Sequence, residues 1–433
     1  MRTGGTANEW KVVPLAAASV DVFKSPDPGS VYLGNPSIAT MPGGRIVVSA
    51  DLAGPGVKRL PGAKGRHPAT GHWLLGKVFV SGDKGKTWAS KLDFPFHEAR
   101  LFRLGSTLYL MGLAGTLRIV KSPDGGDTWN RMEELEQGDG EFIQAPSNVL
   151  QAADGVYVLL LKTVAVGERG EGGRAPVPVV LRARQGSDLT SRKNWAWSEP
   201  GKPFHELVPP GSLDFLGLPA SRPPDAPGDR SRGGRRPAGR IEWDASHIVQ
   251  IRDSRHGWQD PKGRTFHLVA RAESPRSNLA AFARMVEDEA GRMAIDLESL
   301  PGGGRIPLLP LPGGNLKFDV AYDEESKLFW LVSNLVSDSL ARPEQPSQER
   351  RGASAVDRQR LQLHFSRNLV DWSFAAFVDS GAEAKELRHS PVMAIAGGEL
   401  YIVCCSGHPG LGAQGYTDRI TFHTIPAFRE LVY

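Results

Sequence analysis

Six segments of this chain repeat one pattern: an apolar run, a turn centred on Gly, Asp or Asn, and a second apolar run that can pair back as a hairpin. They start at Asn35, Ala99, Ala145, Ala245, Lys317 and Ser390, from NPSIATMPGGRIVVSAD at the first to SPVMAIAGGELYIVCC at the last. A further strand pair fits between successive hairpins. Its turn carries SGDKGKTW at Ser81–Trp88 and SPDGGDTW at Ser122–Trp129, with weaker copies SDLTSRKNW at Ser187–Trp195 and SRNLVDW at Ser366–Trp372. Four strands repeated six times predict an all-β fold, a six-bladed β-propeller of four-stranded antiparallel blades. A lone blade is an open sheet with two exposed faces, so the repeat needs a closed ring of neighbours. After the sixth hairpin only DRITFHTI, from Asp418, reads as an outer strand; the early segment Trp10–Phe23 is expected to pair there and close the ring through the termini.

Composition fits this reading. The 50 Gly and 33 Pro in 433 residues suit a turn-rich β chain, and no apolar run is long enough to span a bilayer as a helix. The expectation is one propeller domain over residues 1–433, with loop insertions near 167–176, 220–240 and 341–357, where Pro, Gly and Arg gather without apolar periodicity. The net charge of +4 is a small surplus of 52 basic over 48 acidic residues, which argues against nucleic acid as a partner. Cys404 and Cys405 are adjacent in LYIVCC, so they point to opposite sheet faces and imply no disulfide framework. The N-terminal stretch MRTGGTANEWK has no apolar signal region, as in a cytoplasmic protein or one whose export signal has been removed.

The boxed turns have structural work for every residue. Ser and Asp can bond the turn's own backbone, Gly supplies a positive φ, and Trp can wedge between sheets. S-x-D-x-G-x-T-W is the pattern of the Asp box, or BNR repeat, and here the chain resembles the sialidase superfamily, in particular a group of sialidase-like bacterial proteins whose ending is similar to RITFHTIPAFRELVY. That resemblance implies a six-bladed propeller with its site at one mouth of the axis, away from the boxes. It also implies a secreted or periplasmic location, an arginine triad for a substrate carboxylate, a Tyr–Glu nucleophile pair and a loop Asp as acid/base.

Matched residue by residue, Arg358 in RQRLQLHFS and Arg271 in FHLVAR take the positions of two arginines of the triad, on strands, and Asn35 in GNPSI replaces the third. Two arginines and an amide make a less selective carboxylate clamp. From Leu52 to Gly82 there is no Asp or Glu, which leaves Asp51, His67 and His72 for proton transfer in that region. The partner Glu becomes Ala245, with Glu242, Asp244 and His247 nearby, and the nucleophilic Tyr becomes His389.

The candidate set is therefore Asp51, Asp244 and His389 for catalysis, and Asn35, His72, His247, Arg271, Lys317 and Arg358 for substrate, with neither metal nor cofactor implied. The resemblance implies an exo-acting glycoside hydrolase on a terminal acidic sugar, sialic acid or a relative, working with non-standard catalytic residues. Two carboxylates across a sugar suffice for hydrolysis. Two alternatives stand beside it: a lyase on uronate-containing glycans in which His389 or His247 takes a proton, and a propeller that binds glycans without cleaving them.

Overall fold

The computed structural model describes residues 13–67, 70–135, 142–166, 173–208, 242–272, 278–300, 302–336, 355–381, 386–409 and 416–433. All six predicted hairpins form. They pair Tyr32–Met41 with Arg45–Ala53, His97–Leu104 with Thr107–Leu113, and Val149–Gln151 with Gly155–Ala165. The other three pair His247–Val249 with Thr265–Arg271, Asp319–Asp323 with Leu328–Asn334, and Leu387–Ala396 with Glu399–Pro409.

The expected six separate four-stranded blades, closed into a ring, need correction. Among the described residues, strand pairing gives four separate sheets of blade size, two with four strands and two with five, besides one nine-stranded and one two-stranded sheet. The arrangement is all-β and propeller-like with four such blades, and its sheets are not joined into a ring. The reason lies in the last strand, Thr417–Pro426. One edge pairs with Glu399–Pro409; the other pairs with the short strand Val20–Lys24 and, at Thr417, with Leu33. Val20–Lys24 covers only part of that edge, so the first and last hairpins fuse into the nine-stranded sheet. The early segment thus does pair with the last strand, over Val20–Lys24 alone. Residues 1–12 lie outside the described residues, as do 167–172, 220–240 and 341–354 of the predicted insertions. Arg174–Pro176, read as loop, open the strand Arg174–Arg184 instead.

Alternation along Arg45–Ala53 shows how one strand serves two layers. Ile46, Val48, Ala50 and Leu52 pack into one core with Leu33 and Val403, while Val47 faces a second core with Leu101 and Leu108 of the neighbouring sheet. Asp51 has the parity of Val47, so its carboxylate points toward that neighbour. Cys404 and Cys405 divide the same way: both are buried, and each joins a different core.

The boxed turns are near-copies of each other. Ser81 Oγ donates to Asp83 Oδ1 at 2.7 Å and accepts from Gly85 N at 2.8 Å; Asp83 also takes Thr87 N at 2.9 Å and Thr87 Oγ1 at 2.6 Å. Ser122, Asp124, Gly126 and Thr128 repeat the set at 2.8, 2.8, 2.9 and 2.6 Å. The indoles of Trp88, Trp129, Trp195 and Trp372 each donate to a carbonyl of their own turn. These bonds hold the carboxylates of Asp83 and Asp124 near pKa 2, with the Thr partners the main cause. The repeated motif fastens turns.

Candidate functional site

The site is built where the innermost strands break register. Pairing slips between Gly34 and Ser37, between His97 and Arg100, and between His389 and Val392. Within these bulges Asn35, Glu98 and Ser390 hold φ values of 45°, 52° and 50°, and Ala245, just before its strand, holds 41°. A left-handed conformation costs a residue with a Cβ about 1–2 kcal/mol, so neighbouring contacts must hold each one. All four line one pocket. Lys317, Asp244, His247, Arg100, Asp319, Gln144 and Ser147 complete its polar wall.

Asn35 is held from three sides. Its Nδ2 donates to Asp51 Oδ2 at 2.9 Å and to the Tyr416 hydroxyl at 3.3 Å, and its Oδ1 accepts from Lys317 Nζ at 3.0 Å. Asp51 Oδ2 also accepts the backbone N–H of Glu98 at 2.6 Å. Glu98 Oε2 in turn accepts from Ala145 N at 3.2 Å, so the chain of contacts runs through two sheets to the connection between Phe142–Gln144 and Val149–Gln151. Asp51 itself is only 2% exposed, and its Oδ1 has no hydrogen-bond partner among the described residues. Burial is the main reason its pKa rises to about 7, against the opposing bonds from Asn35 and Glu98 N. The hydroxyl of Tyr416 is kept protonated well above its usual range by burial and by the nearby charges of Asp51 and Glu98.

On the opposite wall, Asp319 gathers three donors: His247 Nε2 at 3.0 Å, Met393 N at 2.8 Å and, more distantly, Arg100 at 3.6 Å. Burial opposes its ionisation, but Arg100 and His247 outweigh that and hold its pKa below the ordinary carboxylate value. An ionised carboxylate only accepts, so Nε2 of His247 donates to Asp319, while its Nδ1 has no hydrogen-bond partner among the described residues. The ring stacks on Phe318 with centroids 5.1 Å apart. Asp244 forms an ion pair with Arg271, whose backbone N–H also donates to the Asp244 carbonyl at 2.8 Å.

Of the residues singled out from sequence, Asn35, Asp244, His247 and Lys317 line the pocket, and Arg271 reaches it by pairing with Asp244. Asp51 and His389 stand behind the wall instead of in it. His389 is 3% exposed, and its Nδ1 is 3.0 Å from Ser390 Oγ. Burial, then the charges of Arg358 and Lys317, depress its pKa to about 3, so it is a neutral imidazole at physiological pH. Arg358 ends the 3-10 turn Ala355–Arg358, ahead of the strand Arg360–Ser366 on which it was expected. His72 is exposed and is not among the residues that line the pocket. Glu98, Arg100, Asp319 and Tyr416 escaped the sequence reading. The signal for Glu98 was present: the first hairpin's register, laid on the second, puts it in the place of Asn35.

No protein-family model matches the chain, and no curated protein matches it. Solved structures match across almost its whole length at low identity. The Hadza microbial sialidase Hz136 is 12% identical, with 94% of this chain and 68% of that one covered and a TM-score of 0.52. A mutant of Trypanosoma rangeli sialidase displaying trans-sialidase activity is 12% identical over 97% of this chain and 60% of that one, at 0.50. A protein of unknown function from Dyadobacter fermentans is 13% identical over 95% and 99%, also at 0.50. The likeness is one of fold. It is a distant resemblance to sialidase-type propellers, and it points to no particular family. No helix among the described residues is long and apolar enough to cross a membrane.

Proposed function

We propose that this pocket binds a terminal acidic sugar, sialic acid or a relative, and hydrolyses its glycosidic bond. The observation that carries this reading is the convergence of Glu98, Asp244 and Lys317, three charged side chains from three parts of the chain, on one pocket. Lys317 and Arg100 supply positive charge for the sugar's carboxylate, with Asn35 between Lys317 and Asp51. Glu98, in its protonated form, is the donor to the leaving oxygen. Asp244, kept next to the Arg271 guanidinium, takes a proton from water as the water oxygen bonds to the anomeric carbon and the glycosidic C–O bond breaks.

A second reading has its own support. The Nδ1 of His247, which has no partner among the described residues while Nε2 is engaged by Asp319, is placed for removal of a proton next to a carboxylate, which on a uronate-containing glycan gives β-elimination. Product analysis over a panel of acidic glycosides and uronate polysaccharides separates the two. Release of a saturated sugar supports hydrolysis. An unsaturated uronate absorbing in the near ultraviolet transfers the site to the lyase reading, and binding without any product leaves a glycan-binding protein.

A further inference from the structure

Asp51 Oδ2 receives two hydrogen bonds from two different sheets, Asn35 Nδ2 at 2.9 Å and Glu98 N at 2.6 Å. Both donors belong to residues in left-handed bulges, at φ 45° and 52°, and both residues line the pocket that Asp51 does not reach. We infer that Asp51 is a positioning residue: its carboxylate pins Asn35 and Glu98 across the seam between the first two sheets, and its ionisation sets how firmly they are held. The inference rests on this pocket being the functional site.

Strand parity supplies the first link, since position 51 faces the neighbouring sheet as Val47 does. Chemistry supplies the second. An ionised carboxylate is a much stronger acceptor than a neutral carboxyl, so the two bonds tighten when the proton leaves. Among the described residues, the groups that act on Asp51 include Lys317 through Asn35, the Glu98 carboxylate, the Cys405 thiol and the Tyr416 hydroxyl. Its strand partner on the other side is Gly76, which has no side chain to compete. Of these neighbours Lys317 alone is cationic, and it acts on Asp51 across the Asn35 amide.

The Glu98 amide proton reports this bond without any ligand. In wild type its resonance should move downfield as pH rises from 5 to 9, with its midpoint near the Asp51 value of about 7, and in Asp51→Asn, which keeps an acceptor oxygen but cannot ionise, the movement should vanish. A Glu98 amide that ignores pH in wild type, or titrates equally in both proteins, overturns the inference. Binding of free N-acetylneuraminate and free glucuronate is the second arm: wild-type affinity should rise about threefold or more through the same midpoint, and Asp51→Asn should show no step. Equal pH dependence of affinity in the two proteins again overturns it. If the amide titrates as expected while neither sugar binds nor any glycoside is cleaved, the proposed function fails and the positioning role stands.

Discussion

Asp51 lies near one end of the antiparallel pair formed by Arg45–Ala53 and Trp73–Ser81, and Asp83 lies in the turn just beyond its other end; they show what the two ends of this pair do with one residue type. Asp83 lies in an open turn, takes bonds from Ser81 and Thr87, and stays ionised with a pKa near 2. Asp51 lies behind the pocket wall, 2% exposed, with a pKa raised to about 7. At the outer end a carboxylate is satisfied by its own turn, which it fastens. At the inner end the satisfying groups come from elsewhere in the chain, and they leave the carboxyl poised to change charge. The difference is one of sequence distance between partners, and it separates a structural motif from a candidate site.

The largest effect should come from a carboxylate that faces the pocket. Glu98→Gln should lower turnover of the acidic glycoside by about 10²–10⁴-fold with the melting temperature nearly unchanged; undiminished turnover would remove Glu98 from proton transfer. Next is Asp319→Ala, which strips a buried carboxylate from Arg100 and His247 and should cost about 3–5 kcal/mol in urea unfolding. A loss no greater than that of an exposed ion pair would mean the wall tolerates an unpaired charge.

Asp51→Asn should act in the opposite direction. The folded pKa of about 7 lies above the unfolded value, so the native state holds a proton that the unfolded chain has already released, and stability falls as pH rises from about 4 to 7. Removing the ionisable group should therefore stabilise the protein above pH 7, by as much as about 4 kcal/mol, and much less near pH 4. Unfolding curves at those two pH values test the sign. The smallest effect belongs to Asp83→Asn. A depressed pKa contributes stability that is fully present above the ordinary carboxylate value and is lost as pH falls through about 2. The variant should melt slightly lower at neutral pH and equally near pH 2, with turnover untouched; lost turnover would break the division between the two ends.

Much of this was legible in the chain. The six hairpins follow from alternating apolar runs and Gly-, Asp- or Asn-centred turns, and the boxed turns are closed by partners within a few residues, so their geometry could be read from local chemistry alone. Lys317, His247, Asp244 and Asn35, which line the pocket, each sit at the start of a hairpin or immediately before it. Sheet count was not legible, because fusion of the first and last hairpins depends on one pairing, Leu33 with Thr417, across almost the whole chain. Asp319 and Arg100 were missed for a related reason. Each looks like an ordinary strand residue until folding brings them within 3.6 Å of each other. The exposure of Asp51 could not be read either, since Asn35 and Glu98, from different hairpins, together cover it.

The four left-handed positions of the pocket, Asn35, Glu98, Ala245 and Ser390, share a positive φ and have four different side chains. Glycine would relax all of them, yet it would leave the pocket without those side chains. Asn35, Glu98 and Ser390 lie in ladders that continue on both sides of the irregularity, and Ala245 lies just ahead of one. The pocket is in this sense a set of sockets on a fixed frame. New specificities could be written into the molecule one sheet at a time, each exchange limited by what its neighbours need in order to hold the turned backbone.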